Sequence, residues 1–575
     1  MNVLLLHPED EFQASWSRGR WDLIVDLGRA PRSFYDDWSR RLGCPVFSIF
    51  DFAIEVDDLL FWRDLLGLGL GRVVDGYGID WWDVIGILLQ PQLQNLRLAR
   101  RLADKVGKCE TLTASRNSPI AEALRIALRC PLVVLHESIP HRLTNSAGRY
   151  KRAVTNLSFH QLRQVVYDKY DPRYAWRRKF AASVPQSSEP VVLIPSAYSN
   201  VTRNAFGYAK ILPDQQFLLV LARETAASLP APGNVRIASL ASFGSERFDR
   251  EEFSQLENNW ENLVASLRSH PEFELSAETK VLESGKRWLR WGLPIRDAWR
   301  VVYERQAVMS CLSGDDSNPY TRIPLLLARQ RNLPAVAFHH GALDAMMAVK
   351  MPGFSTYLVK GEMERDYLER VCKVDESYLR VGATSAPPGD SLWTDRANSI
   401  AFFTEPYETD LWRIEALYKE VIPRLCAAAR QAGKRVLLKL HPFETTHSRQ
   451  RLLKRVLNKA DQQLVTVTAA PLSREIYQNI WCAVTVESTT ACECAAVGIP
   501  VFLCGWLRHA YIGYAGQFAR FGVAQMLNQP DDLLSIPARL STAMPPADLA
   551  GRLVQAISPG QLREILCHSQ PDSLR

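Results

Sequence analysis

The sequence lacks the features that mark membrane, secreted and disordered proteins. No stretch reaches the roughly 20 consecutive apolar residues of a membrane-spanning helix, and no low-complexity tract is present. The first residues, MNVLLLHPEDEF, have no basic start and too short an apolar run for a signal peptide. We therefore expect a cytoplasmic protein that is not itself a channel or an integral transporter.

Regularly spaced cysteine pairs are also missing. The 11 cysteines are scattered, and Cys492 and Cys494 form a lone C-x-C in a predicted helix, where residues two apart point in different directions. Because no second pair with ligand spacing occurs, we expect no metal site. Reduced and mostly buried thiols fit a cytosolic chain better than a secreted one.

The common nucleotide and nucleic-acid motifs are absent. The sequence has no P-loop, no G-x-G-x-x-G fingerprint and no zinc-finger spacing. A formal net charge of +7 is modest and could favour nucleotide sugars, phospholipid headgroups or nucleic acid, but it selects none of them. A basic surface kept for solubility explains the charge equally well, and we do not expect nucleic acid as a partner.

Short apolar runs alternate with longer helical patterns, which predicts parallel sheets covered by helices. A chain of 575 residues is also too long for one hydrophobic core. We predict an N-terminal α/β domain of unknown role at residues 1–185. Two doubly wound lobes follow, at residues 186–395 and 396–575, with C-terminal helices at the end. The basic segment 148–179 is predicted to be a linker or a bridging helix.

Two loops of the last section follow predicted strands and could bind an anion. In LKLHPFE, His441 and Pro442 end a buried strand, and an imidazole there can donate to a phosphate. In VESTTACECAAVGIPVFL, Ser488, Thr489 and Thr490 lie at the start of a helix, where hydroxyls and free N–H groups suit an anion. Alternatively, His441 caps its strand and the hydroxyls form a capping box with Glu493.

Two further loops of the middle section carry acids and imidazoles. One strand ends at Asp315 and Asp316, and the next ends at His339 and His340. Such groups could deprotonate an acceptor hydroxyl if they lie in a cleft. Alternatively, the aspartates cap the following helix and the histidine pair is structural.

The order of the GDD, HHG, LKLHP and ESTTACECAAVGIPVFL motifs resembles that of bacterial GT-B transferases that build surface polymers. These include capsule polysaccharide transferases, CDP-glycerol glycerophosphotransferases and polysialyltransferase-like enzymes. The resemblance implies that His441, Ser488 and Thr489 hold the donor phosphates and that His340 or His339 is the general base. An acidic pair also occurs in some of these families, which keeps Asp315 and Asp316 as candidates.

The resemblance covers residues 186–530 and leaves the first 185 residues without a match. The chain also departs from the family pattern, because its loop reads S-T-T where a strict S-S is usual. The E-x7-E signature of the common retaining transferases is absent, since Glu487 and Glu493 are six positions apart.

The function expected from the resemblance is transfer of a sugar, or a related group, from a nucleotide-activated donor to a hydroxyl of a surface polysaccharide or glycolipid. The nucleotide sugar would be a substrate, and we expect no cofactor and no metal. Inversion is favoured if His340 or an aspartate is a true base. The segment 286–306 interleaves Trp and Arg and could touch a membrane surface, although a helix that packs its Trp face inward is the alternative.

Two other functions remain open. A sugar-nucleotide epimerase would share the fold and the phosphate loops, and a GT-B-like binding or scaffold subunit would use the N-terminal domain as a partner surface. Whether His340 and His441 face each other across one cleft distinguishes these functions. If they do not, the binding subunit is favoured, because fold alone does not establish activity.

Overall fold

The structure is a computed structural model, and it describes most of the chain. The described residues are 1–13, 16, 19–52, 72–135, 185–197, 199–222, 230–244, 249–268, 273–314, 318–339, 343, 350, 353–385, 390–408, 411–507 and 514–567. The predicted linker at residues 148–179 lies outside this set, as do Asp315, Asp316 and His340.

The first section forms a five-stranded sheet of order β3-β2-β1-β4-β5 among the described residues. Its strands are β1 (Asn2–Leu6), β2 (Leu23–Asp26), β3 (Val46–Ser48), β4 (Thr111–Ala114) and β5 (Leu132–Val134). Its helices are α1 (Arg32–Leu42), α2 (Trp82–Val106) and α3 (Pro119–Leu128). The strands are short, and apolar side chains such as Leu4 and Ile24 bury one face against α1.

The middle section forms a seven-stranded sheet of order β12-β11-β10-β9-β6-β7-β8. Its strands are β6 (Ser187–Ser196), β7 (Phe217–Leu221), β8 (Val235–Ser239), β9 (Gln306–Ser313), β10 (Ala335–Phe338), β11 (Thr356–Val359) and β12 (Leu379–Val381). Its helices are α4 (Ser199–Ile211), α5 (Arg250–Arg268), α6 (Glu274–Glu278), α7 (Ser284–Arg305), α8 (Pro319–Gln330) and α9 (Glu362–Asp366).

The last section forms a six-stranded sheet of order β15-β14-β13-β16-β17-β18. Its strands are β13 (Ser399–Phe403), β14 (Arg435–Lys439), β15 (Val465–Thr468), β16 (Ile480–Thr485), β17 (Val501–Cys504) and β18 (Gln525–Leu527). Its helices are α10 (Ile414–Ala432), α11 (Thr446–Val456), α12 (Lys459–Leu464), α13 (Arg474–Gln478), α14 (Thr490–Ala496), α15 (Ala515–Arg520), α16 (Ile536–Arg539), α17 (Leu549–Leu553) and α18 (Pro559–Cys567).

All three sheets share one topology. Every pairing between the named strands is parallel. In each sheet the chain adds two strands on one side of the first strand and then continues on its other side. Right-handed crossovers place the helices of such a sheet on both faces. The predicted α/β class, with two doubly wound parallel sheets and an additional N-terminal α/β sheet, is confirmed.

The chain divides into two compact units that do not follow the order of the sequence. The first unit comprises Met1–Glu55, Asn95–Leu162 and Pro388–Ala550, and it contains the first and third sheets. The second comprises Val56–Gln94, Arg163–Pro387 and Gly551–Arg575, and it contains the middle sheet. The predicted domain boundaries at residues 185 and 395 coincide with changes of sheet, and as domain boundaries they stay a prediction.

The Trp-rich segment of the second unit forms one helix. Pro294 does not end it, because α7 runs through Pro294 from Ser284 to Arg305. Trp299 on this helix is fully buried, whereas Trp288 and Trp291 are half-buried. Among the residues that the structure describes, no helix combines the length and the apolar character needed to cross a membrane.

Candidate functional site

The third sheet has a switch point between β13 and β16, where the strand order reverses. In open parallel sheets, ligands bind beyond the carboxyl ends of the strands at such a point. Three loops leave the sheet there, at residues 404–408 after β13, 440–445 after β14 and 486–489 after β16. We refer to them as the switch-point loops. His441, Pro442, Ser488 and Thr489 lie on these loops, and Thr490 begins the helix that follows.

Thr404 ties the first loop to the second. Its hydroxyl accepts the His441 N–H at 2.9 Å and donates to the carboxylate of Glu444. That carboxylate is buried, and it also accepts the His441 N–H at 3.0 Å and the Arg449 guanidinium at 2.6 Å. Burial raises the pKa of Glu444, and Arg449 only partly offsets this effect. The backbone N–H of His441 is therefore shared between the side chains of Thr404 and Glu444.

Glu405 ties the first loop to the third. One of its carboxylate oxygens accepts the Thr485 hydroxyl at 3.1 Å and the Glu487 N–H at 2.6 Å. The Thr485 hydroxyl lies within hydrogen-bond distance of the Phe403 carbonyl as well, at 3.1 Å. The loops that follow β13, β14 and β16 are thus joined into one hydrogen-bonded edge.

The His441 ring is oriented as a hydrogen-bond donor. Its Nδ1 accepts the Phe443 N–H at 3.3 Å, so the neutral ring carries its proton on Nε2. Burial, followed by the positive charge of Lys439, lowers the pKa of His441. Burial likewise lowers the pKa of Lys439, against the opposing effect of Glu444 and Glu493. A neutral imidazole beside a lysine at the end of a strand can donate to an anionic oxygen.

The hydroxyl loop forms a local turn at the start of α14. Ser488 Oγ accepts the Thr490 N–H at 3.3 Å, and it lies 2.9 Å from the Thr490 hydroxyl. Thr489 precedes the helix as its N-cap residue. The carboxylate of Glu493 accepts the Tyr477 hydroxyl at 2.7 Å, so its described partner is a side chain of α13. The alternative of a capping box with Glu493 is therefore wrong, because the N-cap Thr489 makes no side-chain cap bond and Ser488 instead accepts the N–H of Thr490.

His339 lies in the other unit, directly after β10 in the middle sheet. Its Nε2 is 2.9 Å from the buried carboxylate of Glu364, which also accepts the Lys360 N–H at 2.6 Å. Burial opposes ionisation of Glu364, but His339 and Lys360 outweigh it and lower the pKa of Glu364 to about 2. A carboxylate that stays ionised can orient an imidazole, and it can equally anchor a structural ring.

The structure thus brings one part of the predicted site together. His441, Pro442, Ser488, Thr489 and Thr490 lie at one edge of one sheet, whereas His339 belongs to the second unit. The roles given to Asp315, Asp316 and His340 stay predictions, because these residues lie outside the described set.

Sequence reasoning missed Thr404, Glu405 and Glu444, which join the switch-point loops, and Glu364, which pairs with His339 in the second unit. The same signal that identified His441 was available for the first two, because Thr404 and Glu405 directly follow the apolar strand SIAFF. No comparable signal marked Glu364, since it lies inside a short helix.

No protein-family model matches the chain, and no curated protein matches it either. Similar solved structures include the calicheamicin glycosyltransferase CalG4, with 13% identity, a TM-score of 0.36, and coverage of 66% of this chain and 95% of that one. MurG of Acinetobacter baumannii has 10% identity and a TM-score of 0.37, over 66% and 99% of the two chains. The UDP-GlcNAc 2-epimerase of Neisseria meningitidis, bound to UDP-GlcNAc, has 10% identity and a TM-score of 0.37, over 65% and 96%. Likeness at this level does not extend to chemistry, which must be read from the residues of the site.

Proposed function

We propose that the chain is a glycosyltransferase whose third sheet binds the diphosphate of a nucleotide-activated donor. The observation that supports this most is the joined edge at the switch point. There Thr404 and Glu405 fix the backbones of His441 and Glu487, with the hydroxyls of Ser488 and Thr490 on the same edge. A rigid set of donors at this position suits a phosphate-bearing ligand.

The proposed chemistry uses these donors to stabilise the leaving group. As the bond to the sugar breaks, negative charge builds up on the departing phosphate. The Nε2–H of His441, the ammonium of Lys439 and the hydroxyls of Ser488 and Thr490 would stabilise that charge without first reorganising. Because the backbone of His441 is bonded by Thr404 and Glu444, its ring starts from a fixed position.

The acceptor side of the proposal rests on the middle section. His340, or His339 oriented by Glu364, would remove the proton from the acceptor hydroxyl, and Asp315 and Asp316 are further candidates for this role. The acceptor would be a bacterial surface polysaccharide or a lipid-linked glycan, and the transfer would invert the anomeric configuration. The protein would act in the cytoplasm, where the α7 segment could contact the inner face of the membrane.

The test is a binding screen of the full chain against CMP, CDP, UDP, GDP and their sugars by thermal shift and calorimetry. A ligand that binds only the folded state raises the melting temperature. We expect one nucleotide family to bind, and His441→Ala to weaken it by about tenfold to a hundredfold, as for loss of a charged hydrogen bond. His447→Ala is the matched control, since His447 is exposed on the neighbouring helix and should leave affinity unchanged.

Two results would contradict the proposal. One is that no nucleotide binds, and the other is that His441→Ala binds the nucleotide as tightly as the unaltered chain. The products distinguish the alternatives left open by the sequence. An epimerase would isomerise the donor sugar without any acceptor, and a scaffold subunit would bind without turnover.

A further inference from the structure

A large cavity lies within the first unit, between residues of the first section and residues of the last. Its volume is about 1450 Å³, which exceeds the roughly 300–1,000 Å³ of most small-molecule sites. Phe443, Glu444 and Thr445 belong to its lining and also to the switch-point loop that begins at Leu440 and contains His441. The cavity and the proposed phosphate site therefore share one loop.

Aromatic rings line the cavity from both sections. From the first section, Phe12 and Phe34 are half-buried and pack on Trp38, with ring centroids 5.8 Å and 4.7 Å apart respectively. From the last section, the Phe443 side chain is 70% exposed. Covering an exposed phenyl ring with an apolar face of a ligand is favourable, because it removes apolar surface from water.

The charged side chains of the lining are largely paired among themselves or with neighbours. Glu415 lies 2.9 Å from Lys419 and 3.2 Å from Arg455, and Arg41 lies 3.6 Å from Asp37. The lining also holds more carboxylates than basic side chains. A ligand with negative charge would have to break these pairs or approach the carboxylates, whereas an uncharged ligand can hydrogen-bond to the pairs as they are.

Uncharged sugars combine the properties that this lining requires. A pyranose ring has apolar C–H faces that stack on aromatic rings, and a rim of hydroxyls that donate to carboxylates and accept from guanidinium and ammonium groups. The volume allows several linked rings. We propose that this cavity binds a segment of an uncharged oligosaccharide. That this segment belongs to the acceptor rests on the proposed function.

The experiment titrates the full chain with maltopentaose, cellopentaose, chitopentaose and mannopentaose, and with a hyaluronan oligosaccharide as an anionic comparison. Binding is followed by calorimetry and by saturation-transfer NMR. We expect at least one uncharged pentasaccharide to bind, with affinity at least tenfold weaker in Phe443→Ala and several-fold weaker in Glu11→Ala. Glu11 is an exposed carboxylate of the lining, so neither substitution removes a core side chain.

Leu534→Ala and Glu475→Ala are the matched controls, because both residues are exposed in the same unit and outside the cavity. Equal weakening by a control and a cavity variant, binding of the anionic oligosaccharide alone, or no binding at all would overturn the inference.

The nucleotide screen is run in parallel to separate this inference from the proposed function. Nucleotide binding without any oligosaccharide binding overturns the inference and leaves the proposed function standing. Oligosaccharide binding that depends on Phe443, without any nucleotide binding, supports the cavity as a glycan site and overturns both the acceptor role and the proposed function.

Discussion

His441 is the residue whose protonation should report directly on donor binding. In the free protein, burial and the charge of Lys439 lower its pKa below the ordinary value of 6.5, so the ring is neutral near pH 7. A bound diphosphate adds a nearby negative charge and should raise that pKa. Between the pKa of His441 in the free protein and its pKa in the complex, binding of the donor is accompanied by uptake of a proton. The affinity for the donor should therefore rise as the pH falls, by up to about tenfold for each unit by which binding raises the pKa. Calorimetry over a pH series measures this, and NMR of the imidazole gives the two pKa values.

A nucleotide sugar is the ligand of choice for this series, because its diphosphate is a diester and does not titrate near neutrality. His441→Asn keeps a hydrogen-bond donor and removes the titration, so its affinity should not vary with pH. A pH dependence that persists in His441→Asn would show that another group takes up the proton.

The lowered pKa of His441 also predicts how folding stability depends on pH. The contribution of His441 is fully present above pH 6.5 and is lost as the pH falls through the folded pKa, because the unfolded chain binds the proton first.

Among the helices, α7 shows how small residues position aromatic rings. Gly285 and Gly292 are seven positions apart, so they lie on the same face of the helix. A Cβ at Gly285 would lie 2.1 Å from the Trp260 ring, and one at Gly292 would lie 2.4 Å from the Trp81 ring. We expect Gly292→Ala to lower the free energy of unfolding by about 1–3 kcal/mol, because the fully buried Trp81 ring must move. Chemical denaturation followed by tryptophan fluorescence measures the loss.

The control for this effect is Gly560→Ala in α18, where no described atom lies within 4 Å of the new Cβ. There the gain in helix propensity should dominate and raise stability by about 0.5–1 kcal/mol. If Gly292→Ala were as stable as the unaltered chain, close contact between α7 and Trp81 would not hold the helix in place.

Elements with a continuous apolar run could be predicted from the sequence. The strands Thr356–Val359, Ser399–Phe403 and Val501–Cys504 are runs of this kind, and every residue of each is buried. Elements without such a run could not be predicted in this way. The strand Thr111–Ala114 alternates Thr with apolar residues, and it pairs with β1 across more than 100 positions of sequence.

For the candidate site, the positions of two residues could be predicted from the sequence, but the contacts that join the loops could not. The rule that ligands bind at strand ends identified His441 and Ser488, and the structure places both at one edge. The role of Glu405 could not be derived, because its bond to the Glu487 N–H requires β13 to lie beside β16. Strand order depends on long-range pairing that the local pattern of a sequence does not encode.

At the scale of the whole molecule, the first and third sheets use the same kind of edge differently. In the third sheet the carboxyl edge carries the candidate phosphate site. In the first sheet, Arg413 of the last section occupies the carboxyl edge and donates to the carbonyls of His7 and Asp10 at 3.0 Å and 2.6 Å. It also forms a two-pronged pair with Asp26, with both distances 2.8 Å. The edge that would bind a ligand in an isolated sheet thus joins the two sheets of the first unit.

This ion pair should be strongly coupled. The Asp26 side chain is fully buried and that of Arg413 is 7% exposed, and Asp26 raises the pKa of Arg413 although burial alone would lower it. Removing one partner leaves a buried charge without compensation. We expect Arg413→Ala to cost about 3–5 kcal/mol of unfolding free energy, and the Asp26→Ala, Arg413→Ala double variant to cost clearly less than the sum of the single variants.

The exposed pair of Arg32 and Asp36, 3.1 Å apart on α1, provides the comparison, because Arg32→Ala should cost no more than about 1 kcal/mol. Limited proteolysis shows which part of the chain is destabilised. Loss of the Arg413 contacts should expose the first sheet to cleavage before the third. If the costs of Asp26→Ala and Arg413→Ala simply added, each residue would act through separate neighbours. The edge of the first sheet would then be held by the other contacts of Arg413, to the carbonyls of His7 and Asp10, and by the backbone bridge between Arg29 and Trp412. Coupling above about 1.5 kcal/mol would instead show that the first sheet stays attached to the third through the Asp26–Arg413 pair at its carboxyl edge.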